Sequence, residues 1–113
     1  RYGVMPGYNL HSVWDGLLAD RALSAAPAIV RRFSADEKAS MAAGTTRDWS
    51  MENWAISRDI AYRRAVDGDP CGPKPQGPVT IDEADVTASR AALRLQAERG
   101  GIRLARLLEE ALS

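Results

Sequence analysis

The chain is short of several residue types that enzymes commonly use. Cysteine occurs once, as Cys71, and histidine once, as His11. One cysteine cannot form a disulfide framework or a Cys-x-x-Cys zinc or redox motif within this chain. Cys71 is therefore expected as a free thiol. One histidine, with no Gly-x-Ser-x-Gly and no glycine-rich phosphate loop, leaves triad hydrolysis and phosphate-loop nucleotide binding without their residues. Fifteen basic residues are matched by fifteen acidic ones, so the 113 residues carry no formal net charge and project no general polyanion-attracting field. No apolar run approaches the ~20 residues of a membrane-spanning helix, and no membrane partner is expected. No segment alternates apolar and polar residues long enough to propose a sheet.

Helical periodicity is what remains, and it runs most of the length. Residues 1–8 place Gly3, Pro6 and Gly7 among Tyr2 and Tyr8, an irregular lead-in whose tyrosines either pack or stack on a base. From about His11 to Leu23, Trp14, Leu17, Leu18 and Ala22 recur at helical spacing behind Asn9, a natural cap. Ser24 to Phe33 has Pro27 in an early position and Ala26, Ile29, Val30 and Phe33 as an apolar set, which predicts a short second helix with Arg31 and Arg32 as a solvated face. Ser34-Ala35-Asp36-Glu37 has the form of a capping box for a third helix, running to about Ala43 and stopping at Gly44.

Thr45 to Ser50 is polar and turn-prone, with Ser50 placed to cap a helix from about Met51 to Val66. In that helix Met51, Trp54, Ala55, Ala61, Tyr62 and Ala65 share one stripe, expected to face the core. The proline- and glycine-rich stretch 67–79 reads as a loop. Thr80-Ile81-Asp82-Glu83 repeats the capping-box form and opens a last helical region to about Leu112, which Gly100-Gly101 either bends or divides. The reading is an all-α helical bundle, one small domain or part of one. Since it opens on Arg1, the expectation is a piece of a longer chain.

His11 and Asp15 carry the chemistry. On a helix they project from one face, one turn apart, bringing an imidazole nitrogen and a carboxylate oxygen towards one point. Zinc takes such ligands at roughly 2.0–2.2 Å, so the pair supplies half a tetrahedral site. An exposed helical pair, or a packed histidine fixed by Asp15, satisfies the same spacing.

The full heptapeptide Asn9-Leu10-His11-Ser12-Val13-Trp14-Asp15 resembles the motif of the S1/P1 nuclease family. Those zinc-dependent enzymes cleave single-stranded DNA and RNA and often remove 3′-phosphates from nucleotides. A second likeness is Gly101-Ile102-Arg103-Leu104-Ala105-Arg106-Leu107-Leu108, similar to the final helix of many bacterial members, with Glu109 where asparagine often follows. Trp54-Ala55 is a third, although Ile56-Ser57-Arg58 replaces the Glu-Ser usual after it. The resemblance spans nearly all of this chain but only the carboxy-terminal half, or a little less, of the family's domain.

Several expectations follow from that resemblance. His11 and Asp15 would ligate one ion of a three-zinc cluster, with the other ligands supplied by the missing amino-terminal half of the domain. The reaction would be phosphodiester hydrolysis by a metal-activated hydroxide, this chain contributing no general base of its own and being inactive alone. Single-stranded nucleic acid or nucleotides would be the substrates, and the location would be secreted or periplasmic. Two rivals remain: a zinc-dependent phospholipase C, which resembles the same all-helical three-zinc plan, and a helical interaction module without catalysis.

Overall fold

The computed structural model describes residues 8–113; Tyr2, Gly3, Pro6 and Gly7 lie outside them. The fold is all-α, with no strand among the described residues. Helix α1 (Leu10–Ser12) continues through a π-helical segment, Val13–Leu18, into α2 (Ala19–Ser24). After a non-helical link come α3 (Ala35–Ala42) and α4 (Thr46–Ile56), the latter running through a second π-helical segment, Ser57–Tyr62, into α5 (Arg63–Val66). Asp67, in the left-handed region at φ 52°, ends α5, and the stretch to α6 (Glu83–Leu112) has no regular structure, as its prolines and glycines predict. No helix among the described residues is long and apolar enough to cross a membrane.

Helix α6, 30 residues and about 45 Å long, is the spine on which the rest is hung. Its first half packs on the α1–α2 rod through a small apolar core of Val13, Leu18, Ile81 and Val86, with Leu10, Trp14 and Leu93 against it. At about 1.5–3 kcal/mol per fully buried aliphatic side chain, so few residues supply a modest total, and polar ties carry much of the remaining order. Those ties are arginines of α6 that bond to loop carbonyls.

The second half of α6 shows this most fully. Helix α3 ends with carbonyls that no helical amide can reach. Arg103 Nε donates to Met41 O at 3.0 Å, Arg106 Nη1 donates to Ala42 O and Gly44 O, and Trp49 Nε1 donates to Ala43 O at 2.7 Å. Arg103 also grips both carboxylate oxygens of Glu52 on α4, at 2.8 and 3.1 Å. Trp49 is buried beneath the two guanidinium groups, 5.1 and 5.3 Å from its ring centre.

Several sequence expectations are corrected. Residues 25–33 do not form a helix. Pro27 has no amide hydrogen to donate, and the carbonyls of Ala22, Ala25 and Pro27 are taken by the Arg94 guanidinium on α6. Arg31 is not merely solvated, since it pairs with Glu37 and Glu98 and lies 4.0 Å from the centre of the Phe33 ring. Helix α4 starts at Thr46, because Thr45 and Asp48 close a reciprocal cap ahead of Ser50. The cap of α6 is Asp82 with Asp85, two residues beyond the Thr80–Glu83 frame. Gly100-Gly101 does not divide α6, which is continuous through both. The stripe expected to face the core does so only in part: Ala65 is buried and Ala55 and Ala61 are half-buried, but Met51, Trp54 and Tyr62 are each about half exposed, and the buried aromatic of that rod is Trp49, outside the stripe. The α3 capping box of Ser34 and Glu37 and the Asn9 cap form as the sequence predicts, and Cys71 is a free, exposed thiol.

Candidate metal centre and the groove beside it

Local chemistry at the start of α1 sets the position of His11. Asn9 Oδ1 accepts from Ser12 N at 2.8 Å, and Ser12 Oγ accepts from Asn9 N at 3.0 Å, so the cap is closed from both sides. That fixes the first turn, on which His11 stands. One turn later Asp15 lies in the π-helical segment, and His11 Nε2 sits 2.8 Å from Asp15 Oδ2. The side chains are 83% and 70% exposed, which excludes the packed histidine and leaves a pair open to solvent and to an ion.

The donor chemistry fits zinc as two ligands of a larger set. Bond lengths near 2.0–2.1 Å at a tetrahedral angle place two ligand atoms about 3.3 Å apart; the observed 2.8 Å reaches that by a small side-chain rotation. Among the described residues no group of three or more His, Cys, Asp or Glu side chains converges, so His11 and Asp15 stand as a pair. Trp14, partly buried against the core, holds the rotation of this rod and with it the direction in which the two donors point.

Beside the pair runs an open groove of about 320 Å³. One wall is Leu10, His11, Trp14 and Asp15; the second is Asn53, Ile56, Ser57, Ala61 and Tyr62; the floor is Ala92, Leu93 and Gln96 of α6. Both π-helical segments face this groove, Trp14 and Asp15 from the first and Ser57, Ala61 and Tyr62 from the second. Segments of this wider helix inside α-helical rods commonly mark functional positions, because the extra residue per turn turns side chains to directions a regular helix does not offer. Periodicity at 3.6 residues cannot reveal them, and Tyr62 appears in the sequence only as one more core position.

The floor is held by a polar net. Gln96 Nε2 donates to Glu52 Oε1 and Asn53 Oδ1, and its own Oε1 accepts from Arg99. The bonds from Arg103 lower the Glu52 carboxyl to about 2, with Gln96 and Arg99 acting in the same direction. Glu52 is therefore ionised throughout the neutral range and belongs to the scaffold. Tyr8, 54% exposed, stands away from the groove, in a shallow depression with Ser12, Gly16 and Asp20. Arg58 and Asp59, half-buried and bonded at 2.7 and 2.8 Å, stand beside Trp54, with the Arg58 guanidinium 4.5 Å from its ring centre.

Comparison with protein-family models, with curated proteins and with solved structures finds no match for this chain. The functional reading therefore rests on the residues and their geometry.

Proposed function

We propose that this chain is the ligand-bearing helical part of a zinc-dependent phosphodiesterase of the S1/P1 nuclease type, acting on single-stranded DNA, RNA or 3′-nucleotides. The observation that carries the reading is the His11–Asp15 pair, 2.8 Å apart, solvent-open, and placed at the lip of a groove with aromatic walls. The motif Asn9 to Asp15 supports it, since each member has a distinct physical part: Asn9 and Ser12 close the cap, His11 and Asp15 point outward, and Val13 and Trp14 turn inward.

His11 and Asp15 would hold one ion, with the remaining ligands brought by the other part of the domain. When bound, zinc supplies acidification of water and neutralisation of charge on phosphate oxygens. The imidazole binds as the neutral ring, so protons compete with metal there. Trp14 and Tyr62 offer aromatic surface a few residues from the donor pair, suited to a nucleobase whose phosphate is directed towards His11 and Asp15. Asn53 and Ser57 on the same wall bring an amide and a hydroxyl to the polar edge of a base. Asn53 and Ser57 favour a nucleotide over a choline headgroup, which has no polar edge of donors and acceptors to match them.

The test is hydrolysis of denatured DNA and of a 3′-nucleotide by the protein that carries the remaining ligands. Activity abolished by a chelator, restored by zinc and absent in His11→Ala is the expected outcome. Hydrolysis that continues in His11→Ala would remove this chain from the site.

A further inference from the structure

The far half of α6 is more exposed than its composition suits. Leu104, Leu107, Leu108 and Leu112 are 57%, 39%, 50% and 83% exposed. The whole chain exposes 7997 Å², whereas a compact monomer of its mass would expose about 6,100 Å². Its radius of gyration is 16.1 Å, against about 13 Å for a compact domain of this length. The exposed leucines of α6 contribute part of that surplus.

The pattern on this face is specific. Leu93, Ala97, Gly100, Leu104, Leu107 and Ala111 recur at alternating spacings of four and three, the seam of a two-helix coiled coil. Leu93 is packed on the core and Ala97 is half-buried; the seam from Gly100 onward is exposed. Neither Gly100 nor Gly101 has any heavy atom within 4 Å of where a side chain would begin, and neither has a positive φ. Nothing inside this chain therefore requires them, although glycine within a helix is costly relative to alanine. Their use is to admit a bulky group from outside.

We infer that two copies of this chain pair antiparallel through α6, with Leu104 of each seated on Gly100 of the other and Leu107 on Ala97. From Ala97 to Leu107 the seam is small on its amino-terminal side and large on its carboxy-terminal side, so an antiparallel copy sets large on small in those layers. That self-complementarity is what a two-fold interface demands. A parallel copy would set leucine on leucine and leave an empty layer at the glycines. On the flank of the seam, Arg103 is already neutralised by Glu52 within its own chain. The acidic Glu109 and Glu110 beside the leucines disfavour an anionic lipid surface as the occupant instead.

Sedimentation equilibrium of the full chain over a concentration series tests it, with helix content followed by circular dichroism. The mass should rise from 12.3 kDa towards twice that value. Leu104→Glu should weaken association about a hundredfold, because an unpaired carboxylate would be driven against the second helix. Gly100→Leu should also abolish the dimer while keeping or raising helix content, leucine being the better helix former; that separates loss of pairing from loss of folding. A chain monomeric throughout the series, or a dimer that either substitution leaves intact, overturns the inference.

Discussion

Removing the Arg103 guanidinium should loosen half of the molecule. The side chain is 9% exposed; it bonds to Met41 O and to both oxygens of Glu52 and lies 5.1 Å from the Trp49 ring centre. Breaking one side of a buried pair costs about 3–5 kcal/mol; Glu52 is 31% exposed and keeps Gln96 and Arg99, so the lower end applies, and the carbonyl of Met41 at the end of α3 loses its donor as well. Against a total stability of about 5–15 kcal/mol for a domain, with an apolar core of few residues, Arg103→Ala should lower the melting temperature by at least about 12 °C at roughly 4 °C per kcal/mol. Lysine at this position keeps the charge but not the two-pronged geometry and should recover less than half of the loss. The double substitution Arg103→Met with Glu52→Leu leaves neither charge stranded and should lie closer to the wild type than Arg103→Ala does. Urea denaturation followed by far-ultraviolet circular dichroism and by tryptophan fluorescence measures all four proteins. An Arg103→Ala chain within about 1 kcal/mol of the wild type would refute the role given to this arginine.

Further predictions concern the same framework. The folded-state carboxyl of Glu52 is lowered from 4.5 to about 2, so its contribution is complete above the unfolded value and is lost as pH falls from about 4.5 towards 2. A shift of that size corresponds to at most about 3 kcal/mol, and the side chain's partial exposure reduces it to about 1–2 kcal/mol; Glu52→Gln should flatten the acid limb of a stability-against-pH curve, and an unchanged limb would count against the pair. Asn9→Ala removes the reciprocal cap ahead of His11 and should cost about 1 kcal/mol, with zinc affinity falling although no ligand has been touched. Arg94→Ala frees the carbonyls of Ala22, Ala25 and Pro27, and limited proteolysis should then cut within 25–33 before anywhere else in the described chain.

Much of the helical plan was legible from residue pattern, since caps and breakers act locally. Asn9, Ser34, and the prolines and glycines of 67–79 behave as their chemistry predicts because their partners lie within a few residues. What was hidden depends on distant residues. The helix expected over Ser24 to Phe33 lost to Arg94, about 70 residues away in sequence, which offers its carbonyls a charged donor. Arginines on a helix read as a solvated face, yet Arg94, Arg103 and Arg106 each reach into a loop and bond to carbonyls. The Thr45 cap is closed by Asp48, rather than by the glutamate or glutamine that marks a capping box in sequence. At the site, the His11–Asp15 approach was readable from an i,i+4 spacing. The groove was not, because Asn53, Tyr62 and Gln96 come from rods whose relative placement no local pattern encodes.

The most direct test of the zinc reading uses the fact that this chain has a single histidine. Titration of zinc into this chain, carried to the high concentration that a site with two of its ligands requires and followed by the ¹⁵N signals of that one imidazole, should show Nε2 of His11 shifting as metal binds at neutral pH. In Asp15→Asn the same titration should need about tenfold more zinc or more. An imidazole whose signals do not move with zinc, or move equally in Asp15→Asn, would contradict the claim that His11 and Asp15 share a cation.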